Sequence, residues 1–75
     1  MVQFDSKKVS TENFGSVSED IYYDGEPVGR VFLDKKGKYQ WMPVGSREYF
    51  GPYESKDLAI HQAVDEWFRE HRDKR

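Results

Sequence analysis

The chain has 75 residues, with 12 Lys and Arg against 14 Asp and Glu, a formal net charge of −2 and no cysteine. This length allows one domain, and the absence of cysteine excludes disulfides and thiolate chemistry. The balanced charge excludes a strong basic field of the kind that concentrates nucleic acid. No apolar run has the length of a signal peptide or a membrane span, so we expect a cytoplasmic protein with no membrane association.

The first 16 residues are polar and rich in Ser, Thr, Asn and Gly, and only Val2 and Phe4 show strand-like alternation. Segments of this composition at a chain end are commonly poorly ordered. We therefore predict a loosely ordered N-terminal arm over residues 1–16, either without regular structure or with a short strand at its start, and a single folded domain over residues 17–75.

The middle of the chain alternates short apolar runs with turn signals. Residues 21–23 are strong strand formers and lead into Asp24-Gly25, a hairpin signal. Three further runs, each closed by a turn sequence, follow at residues 28–33, 39–44 and 48–50. The pattern predicts a three- or four-stranded antiparallel β-meander. Gly29, inside one of these runs, indicates a bulge or a close backbone approach.

The last third of the chain has the pattern of an amphipathic helix. Ser55 is a good N-cap residue. Beyond it, apolar side chains recur on one half of a helical wheel, at Ala59, Ile60, Ala63, Val64, Trp67 and Phe68. Such a helix needs a surface to cover, and the meander supplies it. The predicted fold is α+β, with the helix packed across one face of the sheet and Trp67 near the centre of the buried stripe.

The meander holds more aromatic side chains than one face of a small sheet can cover. Alternation along a strand places Tyr39 and Trp41 on one face, and we predict that Trp41 belongs to the core. Tyr22 and Tyr23 must point to opposite faces, so at least one should be exposed. Either this second face binds a partner, or the arm folds over it through Val2, Phe4 and Phe14.

Residues that could perform catalysis do not form a recognisable constellation. His61 and His71 are ten residues apart on one helix, about 15 Å along its axis, too far to share a metal ion. No serine lies in a glycine-flanked nucleophile elbow, and no glycine precedes a helix as in a phosphate-binding loop. We expect neither an enzyme nor a bound metal or cofactor.

The segment Tyr53-Glu54-Ser55-Lys56-Asp57-Leu58-Ala59, followed by Trp67, resembles the AP2-like amino-terminal DNA-binding domain of tyrosine-recombinase integrases. From about residue 21 onward, that resemblance implies three antiparallel strands, a helix and DNA binding. The same region is also similar to the carboxy-terminal part of a double-stranded RNA-binding domain, at Ser55, Lys56, Ala59 and Ala63.

These observations predict a small non-catalytic binding module. We expect its partner to be another protein, which it would serve as an accessory or inhibitor protein, because the charge is balanced. The alternative is a nucleic-acid-binding domain that uses an aromatic sheet face and a lysine-rich hairpin tip. The candidate binding residues are Tyr22, Tyr23, Arg30, Lys35, Lys36, Lys38 and Arg47. The sequence leaves the oligomeric state open.

Overall fold

The computed structural model describes residues 4–73, with side chains through His71. A 3-10 helix at Ser6–Lys8 precedes the first strand. The strands are β1 (Val9–Phe14), β2 (Ser18–Tyr23), β3 (Glu26–Leu33), β4 (Tyr39–Pro43) and β5 (Phe50–Tyr53), and the helix is α1 (Lys56–Asp73).

The five strands form one antiparallel sheet in the order β1-β2-β3-β4-β5. The α+β class and the C-terminal helix on a meander are confirmed, whereas the predicted count of three or four strands was too low. The additional strand is β1. It contains the strand formers Val9, Thr11 and Phe14, but four of its six residues are polar and it has no apolar run of the kind that marks the other strands. Its stability comes from pairing with β2, which runs without interruption from Val9↔Tyr23 to Phe14↔Ser18.

Residues 1–16 were predicted to be a loose arm, but much of this segment is part of the folded domain. β1 lies within that segment, and Phe4 packs against the buried core. The backbone N–H of Asp5 also donates to the hydroxyl of Tyr23 at 2.9 Å. Residues 1–3 of the predicted arm, including Val2, lie outside the described part of the chain. Residues 4–14 are attached to the domain by tertiary contacts, and the composition of the segment does not reveal such contacts.

The hairpin between β2 and β3 turns at Asp24 and Gly25, as predicted. Both residues have positive φ, at 53° and 84°. This backbone suits the right-handed twist of the flanking strands, and Asp and Gly tolerate it better than most residues.

Gly29 lies where the β3 backbone passes very close to β4. A Cβ built at this position would lie 2.3 Å from the carbonyl oxygen of Met42. The β2–β3 register also shifts between Ile21 and Tyr22, next to the Ile21↔Gly29 pair. The predicted bulge and close approach are therefore both present.

The core lies between α1 and one face of the sheet, mainly over β3 and β4. Its buried side chains are Ile21, Tyr23, Val28, Val31, Trp41, Ala59, Ala63 and Val64. Trp41 is 3% exposed, as predicted for the core. Small alanines allow the helix to approach the strands closely, so Trp67 packs against the edge of the core and is only half-buried.

The helix begins where its cap was predicted. The backbone N–H of Leu58 donates to the hydroxyl oxygen of Ser55 at 3.1 Å, which satisfies one of the free N–H groups of the first turn. Within the described residues, α1 is too polar to cross a lipid bilayer.

Candidate functional site

The face of the sheet opposite α1 carries a row of aromatic, methionine and arginine side chains. Residues paired across antiparallel strands point to the same face. One such row joins Phe14, Ser18, Phe32 and Gln40, and the next joins Glu12, Asp20, Arg30 and Met42. We call this surface the open face and define it by Phe14, Tyr22, Arg30, Phe32, Met42 and Tyr49.

Arg30 lies at the centre of the open face, where its guanidinium contacts two neighbours. Its Nε donates to Oδ1 of Asp20 at 2.7 Å. Its Cζ lies 3.7 Å from the centroid of the Phe14 ring, which is cation–π geometry. The arginine side chain remains 37% exposed, so these contacts orient it without removing it from solvent.

Two further aromatic rings extend the surface toward the loop before β5. The rings of Phe32 and Tyr49 meet edge to face, with centroids 5.2 Å apart. Tyr49 is 61% exposed and Phe14 is 53% exposed. A sheet of this size therefore leaves large aromatic side chains in solvent on the face that the helix does not cover.

Tyr22 and Met42 border a shallow depression at the other end of the open face. This cavity has a volume of about 280 Å³ and is also lined by Pro27, Gly29 and Arg30. The backbone of Gly29 forms part of the cavity wall. A side chain at this position would collide with the backbone of β4. The open face thus combines flat aromatic area with one shallow recess.

The structure separates Tyr22 from Tyr23. Tyr23 is 8% exposed and packs between the sheet and α1, with its ring 5.6 Å from that of Trp67. Tyr22 lies half-buried on the open face. Of the two candidate tyrosines, only Tyr22 is placed where a partner could touch it.

The predicted lysine tip is the turn between β3 and β4. Lys35 and Lys36 are exposed there, and Asp34 organises the turn. Its Oδ1 accepts the backbone N–H groups of Lys36 at 2.8 Å and Lys38 at 3.0 Å. The N–H of Lys38 and the side-chain amide of Gln40 hold the pKa of Asp34 below its ordinary value.

The remaining basic candidates do not join Arg30 in one cluster. The Lys38 ammonium forms an ion pair with Glu54, next to the start of α1. Arg47 lies exposed in the loop between β4 and β5. The positive charges of the candidate set are therefore spread over the turn, the loop and the sheet.

The arm does not close the open face within the described residues. Phe4 lies on the helix side, where its ring centroid is 6.2 Å from Tyr23 and 5.1 Å from His61. Phe14 belongs to the open face itself. Residues 4–16 therefore do not fold over the second face as the alternative prediction required.

The helix side carries an ion pair of a different kind. Nζ of Lys56 lies 2.5 Å from Oε2 of Glu19, joining the first turn of α1 to β2. This hydrogen bond lowers the pKa of Glu19 and raises that of Lys56.

Across the described residues, no three His, Asp or Glu side chains gather in a way that could hold a metal ion.

Sequence reasoning named Tyr22 and Arg30 as binding residues but left out four members of the open face, Phe14, Phe32, Met42 and Tyr49. For Phe14, the missing information was the existence of β1, which brings this residue beside Arg30. The available signal for β1 was Gly15-Ser16, a pair typical of hairpin turns, which opens the turn at residues 15–17.

Comparison with protein-family models, curated proteins and solved structures finds no match to this chain.

Proposed function

We propose that this protein is a non-catalytic module that binds another protein through the open face. The composition of this surface carries the proposal. Protein interfaces are enriched in aromatic residues, methionine and arginine relative to the rest of a protein surface. Six side chains of this surface are of these types, and they are interspersed with the polar residues of the same rows, Glu12, Ser18, Asp20 and Gln40.

The charge of the surface supports a protein partner over nucleic acid. Arg30 is neutralised locally by Asp20, and Glu12 lies in the same cross-strand row. A surface that binds a phosphate backbone concentrates unneutralised Lys and Arg. The exposed lysines of the β3–β4 turn are too few to reverse this balance in a chain of net charge −2.

The shifted pKa values support a non-catalytic role. Glu19, Lys56 and Asp34 each have a direct structural explanation, an ion pair for the first two and a turn for the third. Catalytic groups characteristically have perturbed pKa values inside a cleft that admits a substrate. Glu19 and Lys56 do line a cavity of about 310 Å³, but the ion pair between them is the largest cause of both shifts. The ion pair between α1 and β2 and the hydrogen bonds of the β3–β4 turn therefore explain all three pKa shifts without a catalytic role.

Affinity capture with three forms of the chain tests the proposal. The wild-type chain is compared with the double variant Phe14→Ser, Tyr49→Ser and with the control Leu58→Ser. Leu58 is 42% exposed and lies in the first turn of α1, on the opposite side of the sheet. We expect the same protein to be retained by the wild type and the control and lost by the double variant. Equal retention by all three forms would contradict a role for the open face.

A salt titration with mixed-sequence single-stranded DNA and RNA addresses the alternative. We expect no binding at low salt. Binding that falls steeply as salt increases and is lost in the double variant would replace the protein partner with nucleic acid.

A further inference from the structure

The two edges of the sheet are protected to different degrees. β5 has four residues, includes Pro52 and pairs with β4 through a shifted register. These features discourage another strand from pairing with that edge. β1 has six residues, contains no proline and pairs with β2 in an unbroken register.

The outward hydrogen-bonding groups of β1 can be assigned from the ladder. The backbone N–H of Asp24 donates to the carbonyl of Lys8 at 2.8 Å, which makes Lys8 and Asp24 a hydrogen-bonded pair. In an antiparallel ladder such pairs alternate. Ser10, Glu12 and Phe14 therefore bond to β2, and Val9, Thr11 and Asn13 direct their N–H and C=O groups away from the sheet. Of these groups, the N–H of Val9 already donates to the carbonyl of Ser6.

We propose that β1 pairs with β1 of a second copy of this chain and joins two sheets into one. An antiparallel pairing around a two-fold axis at Thr11 places Thr11 opposite its own symmetry mate. It also places Val9 opposite Asn13 of the second copy. About four main-chain hydrogen bonds would form, two at the Thr11 pair and one at each Val9–Asn13 pair, because the Val9 N–H is already bonded to Ser6. A two-fold interface of this kind uses the same strand from both copies.

The charges along β1 favour a second copy in this orientation. Lys7 and Lys8 immediately precede the strand, and Glu12 lies near its end; all three are exposed. Antiparallel pairing brings the basic start of each strand beside the acidic end of the other. Lys8 then lies diagonal to Glu12 of the second copy, within reach of a long side chain.

The side chains facing each other across the axis are also compatible. Thr11 meets Thr11, a pair that stabilises antiparallel strands through hydroxyl and methyl contacts, and Ser10 meets Glu12 as a hydrogen-bonding pair. Apart from Glu12, the strand carries no charge. No like-charged residues are therefore directly opposed.

Sedimentation equilibrium of the full chain over a wide concentration range tests the proposal. We expect a monomer–dimer equilibrium. Thr11→Pro removes an outward N–H from each copy and leaves the bonds between β1 and β2 in place, so it should weaken dimerisation by about tenfold or more. Thr11→Val keeps the N–H and loses the hydroxyl, and it should dimerise nearly as well as the wild type.

A charge exchange provides a test that does not depend on how the proline variant folds. Lys8→Glu alone and Glu12→Lys alone should each weaken dimerisation, because each places like charges diagonally across the axis. Mixing the two variants should restore association, since both diagonals then join opposite charges. A chain that stays monomeric at millimolar concentration would overturn the proposal. So would a dimer that responds to neither the proline nor the charge variants.

Discussion

The guanidinium of Arg30 lies 3.7 Å from the centre of the Phe14 ring, although these residues are 16 positions apart and belong to strands that do not pair with each other. β2 separates β1 from β3, and both side chains reach over it on the open face. The Nε of Arg30 also donates a hydrogen bond to Oδ1 of Asp20 on β2, at 2.7 Å. Three strands thus contribute to one local arrangement of charge and aromatic surface.

A double-mutant cycle should detect the contact between Arg30 and Phe14. We expect Arg30→Met and Phe14→Leu each to lower the free energy of unfolding modestly, with a coupling energy of about 0.5–1 kcal/mol, the usual range for partly exposed cation–π pairs. Urea denaturation of the four proteins measures it. Additive effects would show that the two side chains do not interact in solution.

Gly29→Ala should be strongly destabilising. The added methyl would lie 2.3 Å from the carbonyl oxygen of Met42, and neither backbone can move without disturbing the β3–β4 ladder. Overpacking of this kind costs about 1–3 kcal/mol or more. Thermal unfolding measures the loss.

Gly15→Ala is the matched control for that substitution. Gly15 has a positive φ of 79° but open space around the position of a Cβ, so only backbone strain is introduced, about 1 kcal/mol. If Gly29→Ala were no more destabilising than Gly15→Ala, the close approach of β3 and β4 would be contradicted.

The ion pair between Glu19 and Lys56 predicts a loss of stability in acid. The pKa of Glu19 lies below its ordinary value of 4.5, chiefly because Lys56 donates a hydrogen bond to it. A carboxylate with a lowered folded-state pKa contributes stability that is present above pH 4.5 and disappears as the pH falls through the folded-state value. Glu19→Gln should therefore be less stable than the wild type at pH 7, and the difference should shrink below pH 4.5.

Unfolding midpoints between pH 7 and pH 2.5 measure this dependence, and an NMR titration of the Glu19 side chain gives its pKa directly. Glu48→Gln is a suitable control, because Glu48 lies exposed in the loop between β4 and β5. A Glu19 pKa at or above 4.5 would contradict the ion pair.

Deletion of residues 1–10 should destabilise the protein. It removes Phe4, which packs against Tyr23 and His61, and the first two residues of β1. We expect a loss of about 2 kcal/mol or more, which corresponds to a fall in the thermal midpoint of roughly 8–16 °C for a domain of this size. Phe4→Ala alone reports how much of the loss is side-chain packing. An unchanged midpoint would show that this segment contributes little to the fold.

The helix, its cap and the turns could be predicted from the sequence because their signals are local. The Ser55 hydroxyl needs only an N–H three residues away, and the apolar stripe of α1 repeats with the period of a helix. Asp24 and Gly25 adopt positive φ through their own backbone preferences. Strand alternation places Trp41 on the same face as Tyr39, and its larger ring was the reason to assign it to the core.

The first strand and the open face depended on tertiary structure. β1 contains strand formers but no apolar run, and it is held in the sheet by β2, whose paired residues lie between 4 and 14 positions away along the chain. Which of Tyr22 and Tyr23 faces α1 depends on the register of β2, and a shift of one residue would exchange them. Phe14 meets Arg30 only once three strands are aligned. Pairing between distant residues leaves no periodic pattern within either segment, so only the folded chain brings these residues together.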